Sequence, residues 1–378
     1  MTDELRLAWA YLSRVAEPPS AELAALVTLV GAVEAADRVR RGRAGDAVWS
    51  DVEARREIDC AKADLETLDR LGGRLVSADD DEWPLLAFTA FRGVADRARA
   101  DAPMVLWAVG PAMLDEVASR AAALVGTRAA TAYGEHVAGD LAAGLVHRDV
   151  AVVSGGAYGV DGAAHRAALA GDGVTVAVLA GGIDVPYPAG HTAMLRRIAE
   201  RGLVLSEYPP GVRPARHRFL TRNRLVAALA GATVVVEAGA RSGAANTAAW
   251  ARALGRPVCA VPGPVTSSAS TGCHALLRGG AYVVTRAEEV VELVGRAGEF
   301  APEEVRPASP LDDLTDEDKR VYDALPRRGG RTAEQIAVAS GLPERQVLGP
   351  LANLELLGLV VCAEGRWKLA PGPRQRVN

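Results

Sequence analysis

The chain has 378 residues, 49% of them hydrophobic, and a formal net charge of −4 at pH 7. That length holds two or three domains and a large core, and the mild acidity excludes a protein that coats nucleic acid with its whole surface. Four scattered cysteines without a C-x-x-C pair exclude a disulfide framework, and no apolar run reaches the ~20 residues of a bilayer span; with the acidic start Met1-Thr2-Asp3-Glu4 in place of a signal peptide's basic end, a cytoplasmic protein with no membrane partner is expected.

Residues 1–78 read as a small helical domain, of a contact or accessory kind. Leu5, Leu7, Ala8, Tyr11, Leu12 and Val15 fall at helical spacing, as do Leu23, Leu26, Val27 and Val30; a third helix is expected over 51–71, ending at Gly72-Gly73. Asp79-Asp80-Asp81 and Trp83-Pro84 mark a boundary. Residues 79–297 then alternate strands with helices, the strands falling at 104–109, 121–125, 150–153, 174–179, 203–205, 233–236 and 258–261. Their uniformly apolar composition predicts an α/β fold with a doubly wound, mostly parallel sheet covered on both faces. Ligands bind such sheets at the carboxyl ends of the strands. Gly126-Thr127-Arg128, Ser154-Gly155-Gly156-Ala157, Ala180-Gly181-Gly182 and the stretch 237–243 all follow strands directly, so four glycine-bearing loops should converge on one rim.

The second of these loops is organised as strand, glycine turn and helix N-terminus, the helix starting near Asp161. Such a turn offers unpaired N–H groups to a phosphate. It matches neither G-x-G-x-x-G nor a P-loop, and a tight turn that binds nothing is its alternative. The strongest signal is residues 213–224, R-P-A-R-H-R-F-L-T-R-N-R, read here as a loop leading into an apolar helix at 225–229. Five arginines for phosphates around one Phe for a base is a recipe for single-strand binding. A solvated basic face is the bland alternative.

Residues 298–313 are Pro- and acid-rich and read as a linker. Over 314–370 three helices and two short strands follow in the order of a winged helix, and 371–378 form a tail. Ten acids face eight bases between Leu311 and Leu369. A duplex-gripping helix-turn-helix is usually basic, so protein contact is the favoured use of this module. No G-x-S-x-G, H-E-x-x-H or paired Cys/His ligand set occurs. Asp161 and His165 could share a helix face as metal ligands, but a hydrogen-bonded or packed histidine is preferred. Binding rather than catalysis is expected, with no cofactor.

Taken together, V-G-T-R-x-x-T-x-Y-G from Val125, S-G-G-A-x-G-V-D-x-x-A-H from Ser154, Tyr187-Pro188, S-E-Y-P-P-G from Ser206, R-N-R from Arg222, V-V-E-A from Val235 with R-S-G at Arg241, and V-P-G at Val261 resemble the DNA-processing DprA (Smf) family. The match is close over residues 79–295 and looser for the helical start, which is similar to SAM or HhH modules, and for the winged helix. The resemblance implies an extended Rossmann-like core that binds single-stranded DNA and protects it. It further implies a homodimer, the loading of a RecA-type recombinase in natural transformation or homologous recombination, and neither enzymatic activity nor metal. The implied DNA-binding residues are Gly126, Arg128, Ser154, Gly155, Gly156, Ala157, Arg216, Arg218, Phe219, Arg222, Asn223, Arg224, Arg241 and Ser242. Leu220 stands where the family usually has Pro, and His191 and His274 where Asn is common.

Two rival readings follow from the same features. A nucleotide phosphoribohydrolase of the lysine-decarboxylase-like (LOG) type shares a sheet with glycine loops, but carries P-G-G-x-G-T-x-x-E where this chain reads Glu237-Ala238-Gly239-Ala240-Arg241-Ser242-Gly243. A ligand-sensing winged-helix transcription factor would need a more basic module.

Overall fold

The computed structural model describes residues 1–94, 97, 99–295, 298–301, 311 and 314–370. The chain divides into two compact units, Met1–Pro302 and Glu303–Asn378. Most of the linker expected at 298–313, and the tail at 371–378, lie outside the described residues.

The first unit opens with helices α1 (Asp3–Val15), α2 (Ala21–Val30), α3 (Ala32–Arg40), α4 (Asp46–Val52) and α5 (Ala61–Arg70). Strand β1 (Gly73–Ser77), α6 (Leu85–Thr89), β2 (Val105–Val109) and α7 (Leu114–Ser119) follow. Then strands and helices alternate: β3 (Ala121–Val125), α8 (Ala132–Val146), β4 (Ala151–Ser154), α9 (Val160–Ala170), β5 (Thr175–Leu179), α10 (Thr192–Arg201), β6 (Leu203–Ser206), α11 (Arg216–Ala228), β7 (Ala232–Val235), α12 (Gly243–Ala253), β8 (Val258–Ala260), α13 (Thr271–Arg278), β9 (Tyr282–Val283) and α14 (Ala287–Val294). Among the described residues these strands form one sheet in the order β1-β2-β6-β5-β4-β3-β7-β8-β9. From β6 to β9 neighbours run parallel, while β2 is antiparallel to both β1 and β6. From β3 the chain winds outward through β4 to β6, then returns to the other side of β3 with β7. The loops after β3 and β7 therefore flank the switch point, where doubly wound sheets bind ligands.

The strand residues alternate between two apolar layers, as the period of 2 requires. Ala121, Ala123, Val125, Val153 and Val178 face α11 and α12, whereas Ala122, Leu124, Val152 and Val234 face α8, α9 and α14. The N-terminal helices continue the second layer: Tyr11, Leu12, Leu68 and Val39 share a core with Trp107, Ala177, Leu179 and Val204. A separate helical domain ending at 78 is therefore not how this segment packs. Gly73–Ser77, read as the end of a helical domain, pairs with Val105–Val109 as an edge strand. The helix expected over 51–71 is two helices, the second starting where the Asp59 side chain accepts from the Ala61 N–H at 3.2 Å.

The second unit holds α15 (Asp316–Asp323), α16 (Ala333–Ser340), α17 (Glu344–Leu356), β10 (Val360–Ala363) and β11 (Arg366–Leu369) around its own core of Val321, Ile336, Val347, Leu351 and Leu354. Thr315 and Thr332 each close a capping box, and Gly341 ends α16 in the left-handed region at φ 69°. Three helices followed by a two-stranded antiparallel wing make this unit a winged helix.

Candidate functional site

A cleft of about 810 Å³ opens at the switch point. Three of the four glycine-bearing loops reach it, contributing Gly126, Thr127 and Arg128 after β3, Gly155 and Ala157 after β4, and Gly239, Arg241 and Ser242 after β7. The fourth, at Gly181-Gly182, does not. Pro214 packs against Gly181, and the Gly182 N–H donates to the Val212 carbonyl at 2.7 Å, so the segment after β6 covers that strand end.

The opposite wall is α11. Residues 213–224 were expected to be a loop leading into a helix; in fact Arg216 is the first helical residue, and helix continues through the basic stretch. Arginine is a good helix former, so the basic stretch itself sustains the helix from Arg216, with Ala215 as its N-cap. The helical period then decides each arginine's fate. Arg216 is exposed and lines the cleft with Phe219, Leu220, Arg222, Asn223 and Val226, three or four residues apart along one face. Arg218 points elsewhere: its guanidinium bonds Glu17 at 2.7 and 2.9 Å. Glu17 also accepts from Arg55 at 2.8 Å and meets His217 at 3.2 Å; burial would raise its pKa, but the Arg218 and Arg55 hydrogen bonds outweigh this and bring it down to about 2.

The R-N-R triplet does something other than present cations. Arg222 is 5% exposed and donates through Nη1 to the carbonyls of Gly155 (2.8 Å) and Val178. Asn223 donates to Asn246 Oδ1 at 3.2 Å and to the Gly243 carbonyl at 3.4 Å. Arg224 is fully buried, forming a two-pronged pair with Glu207 at 2.6 and 2.8 Å and donating to the Asp101 carbonyl at 3.1 Å. Each member thus braces a different neighbour: the β4 loop, the start of α12 and the end of β6. Arg222 and Asn223 still border the cleft floor; Arg224 does not.

The β4 turn also departs from the phosphate-cradle expectation. The N–H groups of Gly155 and Ala157 already donate to Asp161 Oδ2, at 3.1 and 3.3 Å. Ser154 is buried, its hydroxyl donating to the Leu124 carbonyl at 2.6 Å, and neither it nor Gly156 lines the cleft. A Cβ at position 155 would displace the buried Arg222 guanidinium, so glycine there preserves the Arg222 bond to the loop. Burial raises the Asp161 pKa and lowers that of Arg222 to about 10, each opposed by the other's charge. The Asp161 carboxyl is thus an internal acceptor for the turn's N–H groups, in the place where a phosphate was expected.

The β3 loop is held open toward the cleft by Glu237, whose carboxylate accepts from the Thr131 N–H and hydroxyl at 2.8 Å each and whose backbone carbonyl accepts from Thr127 at 2.7 Å. Thr131 in turn caps α8. Arg128 therefore projects from a fixed loop, exposed, with its guanidinium carbon 4.8 Å from the centroid of Phe219. Tyr187 approaches the same ring at 5.4 Å, 44% exposed. Of the fourteen candidate residues, Gly126, Arg128, Gly155, Ala157, Arg216, Phe219, Arg222, Asn223, Arg241 and Ser242 border the cleft, while Ser154, Gly156, Arg218 and Arg224 do not. Tyr187, Leu220, Asp161 and Thr247 also border it. Leu220, half-exposed in place of the usual Pro, continues α11 without interruption, and Tyr187 was visible only as a motif residue.

Elsewhere, His165 is buried with Nδ1 2.7 Å from the Thr175 hydroxyl, and burial pulls its pKa down to about 3. Since Thr175 donates onward to the Val152 carbonyl, it accepts from His165 Nδ1–H. Among the described residues no cluster of three His, Cys, Asp or Glu side chains could hold a metal ion, and no helix is long and apolar enough to cross a membrane.

The fold and site define an extended doubly wound α/β protein with an arginine- and aromatic-lined cleft at its switch point, joined to a winged helix. The chain belongs to the DNA recombination-mediator protein A (DprA/Smf) family, which matches residues 74–295, with the DprA winged helix domain matching 305–366. It is 69% identical over 371 residues to a putative DNA processing protein DprA of Mycobacterium tuberculosis, covering 98% of this chain and 95% of that one. Escherichia coli Smf is 32% identical, over 83% of each chain. Among solved structures, Streptococcus pneumoniae DprA superposes with a TM-score of 0.61 at 30% identity, over 77% of this chain and 97% of that one. Helicobacter pylori DprA, described for its single-stranded DNA binding mode, gives 0.50 at 28% identity, over 58% and 94%.

Proposed function

We propose that the cleft binds single-stranded DNA without chemistry, phosphates lying on Arg128, Arg216 and Arg241 and one base stacking at Phe219. The observation that carries this is the Arg128–Phe219–Tyr187 cluster at the mouth of an open cleft: an exposed cation within reach of a partly exposed ring. Cations that track a backbone and aromatics that accept any base together make a sequence-tolerant single-strand site. The single-strand binding mode described for the H. pylori relative supports the same reading. Arg222 and Arg224, though part of the basic stretch, are not among these contacts, because their guanidinium groups are committed inside the protein.

A salt titration tests this. Three contacts at about −0.7 each give a log–log slope near −2, and Arg128→Ala flattens it by about 0.7. A slope that Arg128→Ala leaves unchanged refutes the placement. Duplex DNA in a parallel titration checks the strand preference.

On this reading the protein protects a strand and passes it to a RecA-type recombinase; the name of the matching family, DNA recombination-mediator protein A, supports the mediator role. Faster recombinase filament growth on a pre-loaded strand would be its signature. Self-association fits the short edge strand β9, whose Tyr282 and Val283 are 56% and 58% exposed. Sedimentation at micromolar concentration decides it, a monomer with and without DNA excluding the dimer.

A further inference from the structure

We infer that Tyr158 provides a second stacking position, for a nucleobase of single-stranded DNA lying just outside the cleft; the inference rests on the strand-binding reading above. Tyr158 directly follows Ala157, which lines the cleft, but is itself outside the lining. Its ring is 47% exposed, and its hydroxyl makes no hydrogen bond among the described residues. Nothing polar therefore explains why an aromatic stands there.

The ring is nonetheless held in place. It meets His191 edge-on, with centroids 4.7 Å apart at 70°. His191 is 8% exposed and fixed by donation from Nδ1–H to the Gly156 carbonyl at 3.0 Å. Gly190 lies against the phenol, where a Cβ would come within 2.6 Å of the Tyr158 oxygen. On the other side Gly159, at φ 74°, turns the chain directly over the Thr127 and Arg128 backbone, and the Val160 N–H donates to the Thr127 carbonyl at 3.3 Å. Tyr158 thus rides on the loop that carries Arg128.

The segment 187–191 joins the two aromatic positions. Tyr187 stands beside Phe219 at one end, and His191 backs Tyr158 at the other. A strand leaving the Phe219 position along this segment meets a preordered, half-exposed ring with a phosphate-binding arginine close by, the pairing that single-strand sites repeat from one nucleotide to the next. A nucleobase is the fitting occupant because the half-exposed group is an aromatic ring, on which any base can stack.

The test uses the full chain and oligo-dT on the order of 16 nucleotides, the upper end of single-strand site sizes, beside a strand of equal length with abasic sites. Wild type, Tyr158→Ala, Tyr158→Phe and Arg128→Ala are titrated by fluorescence anisotropy at two salt concentrations, with melting curves alongside. Tyr158→Ala should weaken oligo-dT binding about five- to a hundredfold with an unchanged salt slope and melting temperature, while Tyr158→Phe binds as wild type does. The abasic strand should not distinguish Tyr158→Ala from wild type. Equal binding of oligo-dT by wild type and Tyr158→Ala, or an equal loss on the abasic strand, overturns the stacking role. If Arg128→Ala weakens binding and Tyr158→Ala does not, this inference alone falls; a wild type that binds no strand removes the parent reading and this one together.

Discussion

Replacing Arg224 by alanine separates a phosphate contact from a structural brace. The Arg224 side chain is 0% exposed and that of Glu207 5%. Alanine leaves the Glu207 carboxylate buried with neither of its two guanidinium bonds, and it strips the Asp101 carbonyl of its donor. Breaking a buried ion pair from one side costs about 3–5 kcal/mol, because an uncompensated charge remains. Arg224→Met with Glu207→Leu removes both charges and should recover most of that loss, since well-packed apolar pairs often replace buried ion pairs without cost. Urea denaturation of the wild type and the two variants measures the stability, and single-strand binding in native buffer measures the function. The single variant should unfold at clearly lower denaturant, yet keep the wild-type salt slope while it remains folded. An unchanged denaturation midpoint together with a slope flattened by about 0.7 would refute the brace and return Arg224 to the DNA.

Phe219→Ala should weaken strand binding about five- to a hundredfold and leave the salt slope alone, since stacking is worth roughly 1–3 kcal/mol per base and moves no counterion. A flattened slope would instead mean that Arg128 had lost its place with the ring. Acid should destabilise the protein through His165: its folded pKa, about 3, lies below the unfolded 6.5, so the unfolded chain binds the extra proton and stability falls as pH drops below 6.5, by up to about 1.4 kcal/mol per pH unit. His165→Gln should flatten that limb in chemical denaturation from pH 7 to 4. Removal of residues 311–378 should leave a folded core that still binds single strands; a folded core without affinity would make the winged helix part of the site.

Most of the sheet was legible because strands buried on both faces are short apolar runs, and seven of them, six parallel and one antiparallel, stand out between glycines and helices. Gly73–Ser77 and Tyr282–Val283 were not, for a physical reason: both sit at the sheet's edges, and the first is G-R-L-V-S, half polar and only partly buried. The position of the cleft was equally legible, since strand-end glycine loops must meet at the carboxyl rim. What remained hidden was which polar groups satisfy one another. Asp161 in the turn, Glu207 under Arg224 and Glu17 beside Arg218 lie 4 to 201 residues from their partners along the chain. Spacing along a sequence cannot reveal such pairs. A basic run therefore looked like five available cations when two of its members were already paired with acids.

That internal commitment explains how a site made of loops can be exact. The exposed arginines project from the β3 loop, the β7 loop and the first turn of α11, none rigid by itself. Arg222, Asn223 and Arg224 tie α11 to the β4 turn, the α12 start and the β6 end, and Glu237 ties the β3 loop to α8. Side chains held by a buried polar network lose little further freedom when a ligand arrives, so a few exposed contacts suffice for placement. They do not, on the proposed reading, suffice for tight binding, since three screened phosphate contacts and one or two stacked bases would form a modest site at physiological salt. On the proposed reading, firm retention of a long strand must come from several sites on one strand. Joining two clefts in a dimer raises the effective concentration of the second without any new contact. The same modest single-site affinity would let a recombinase displace the protein one cleft at a time, which a permanently tight binder would resist.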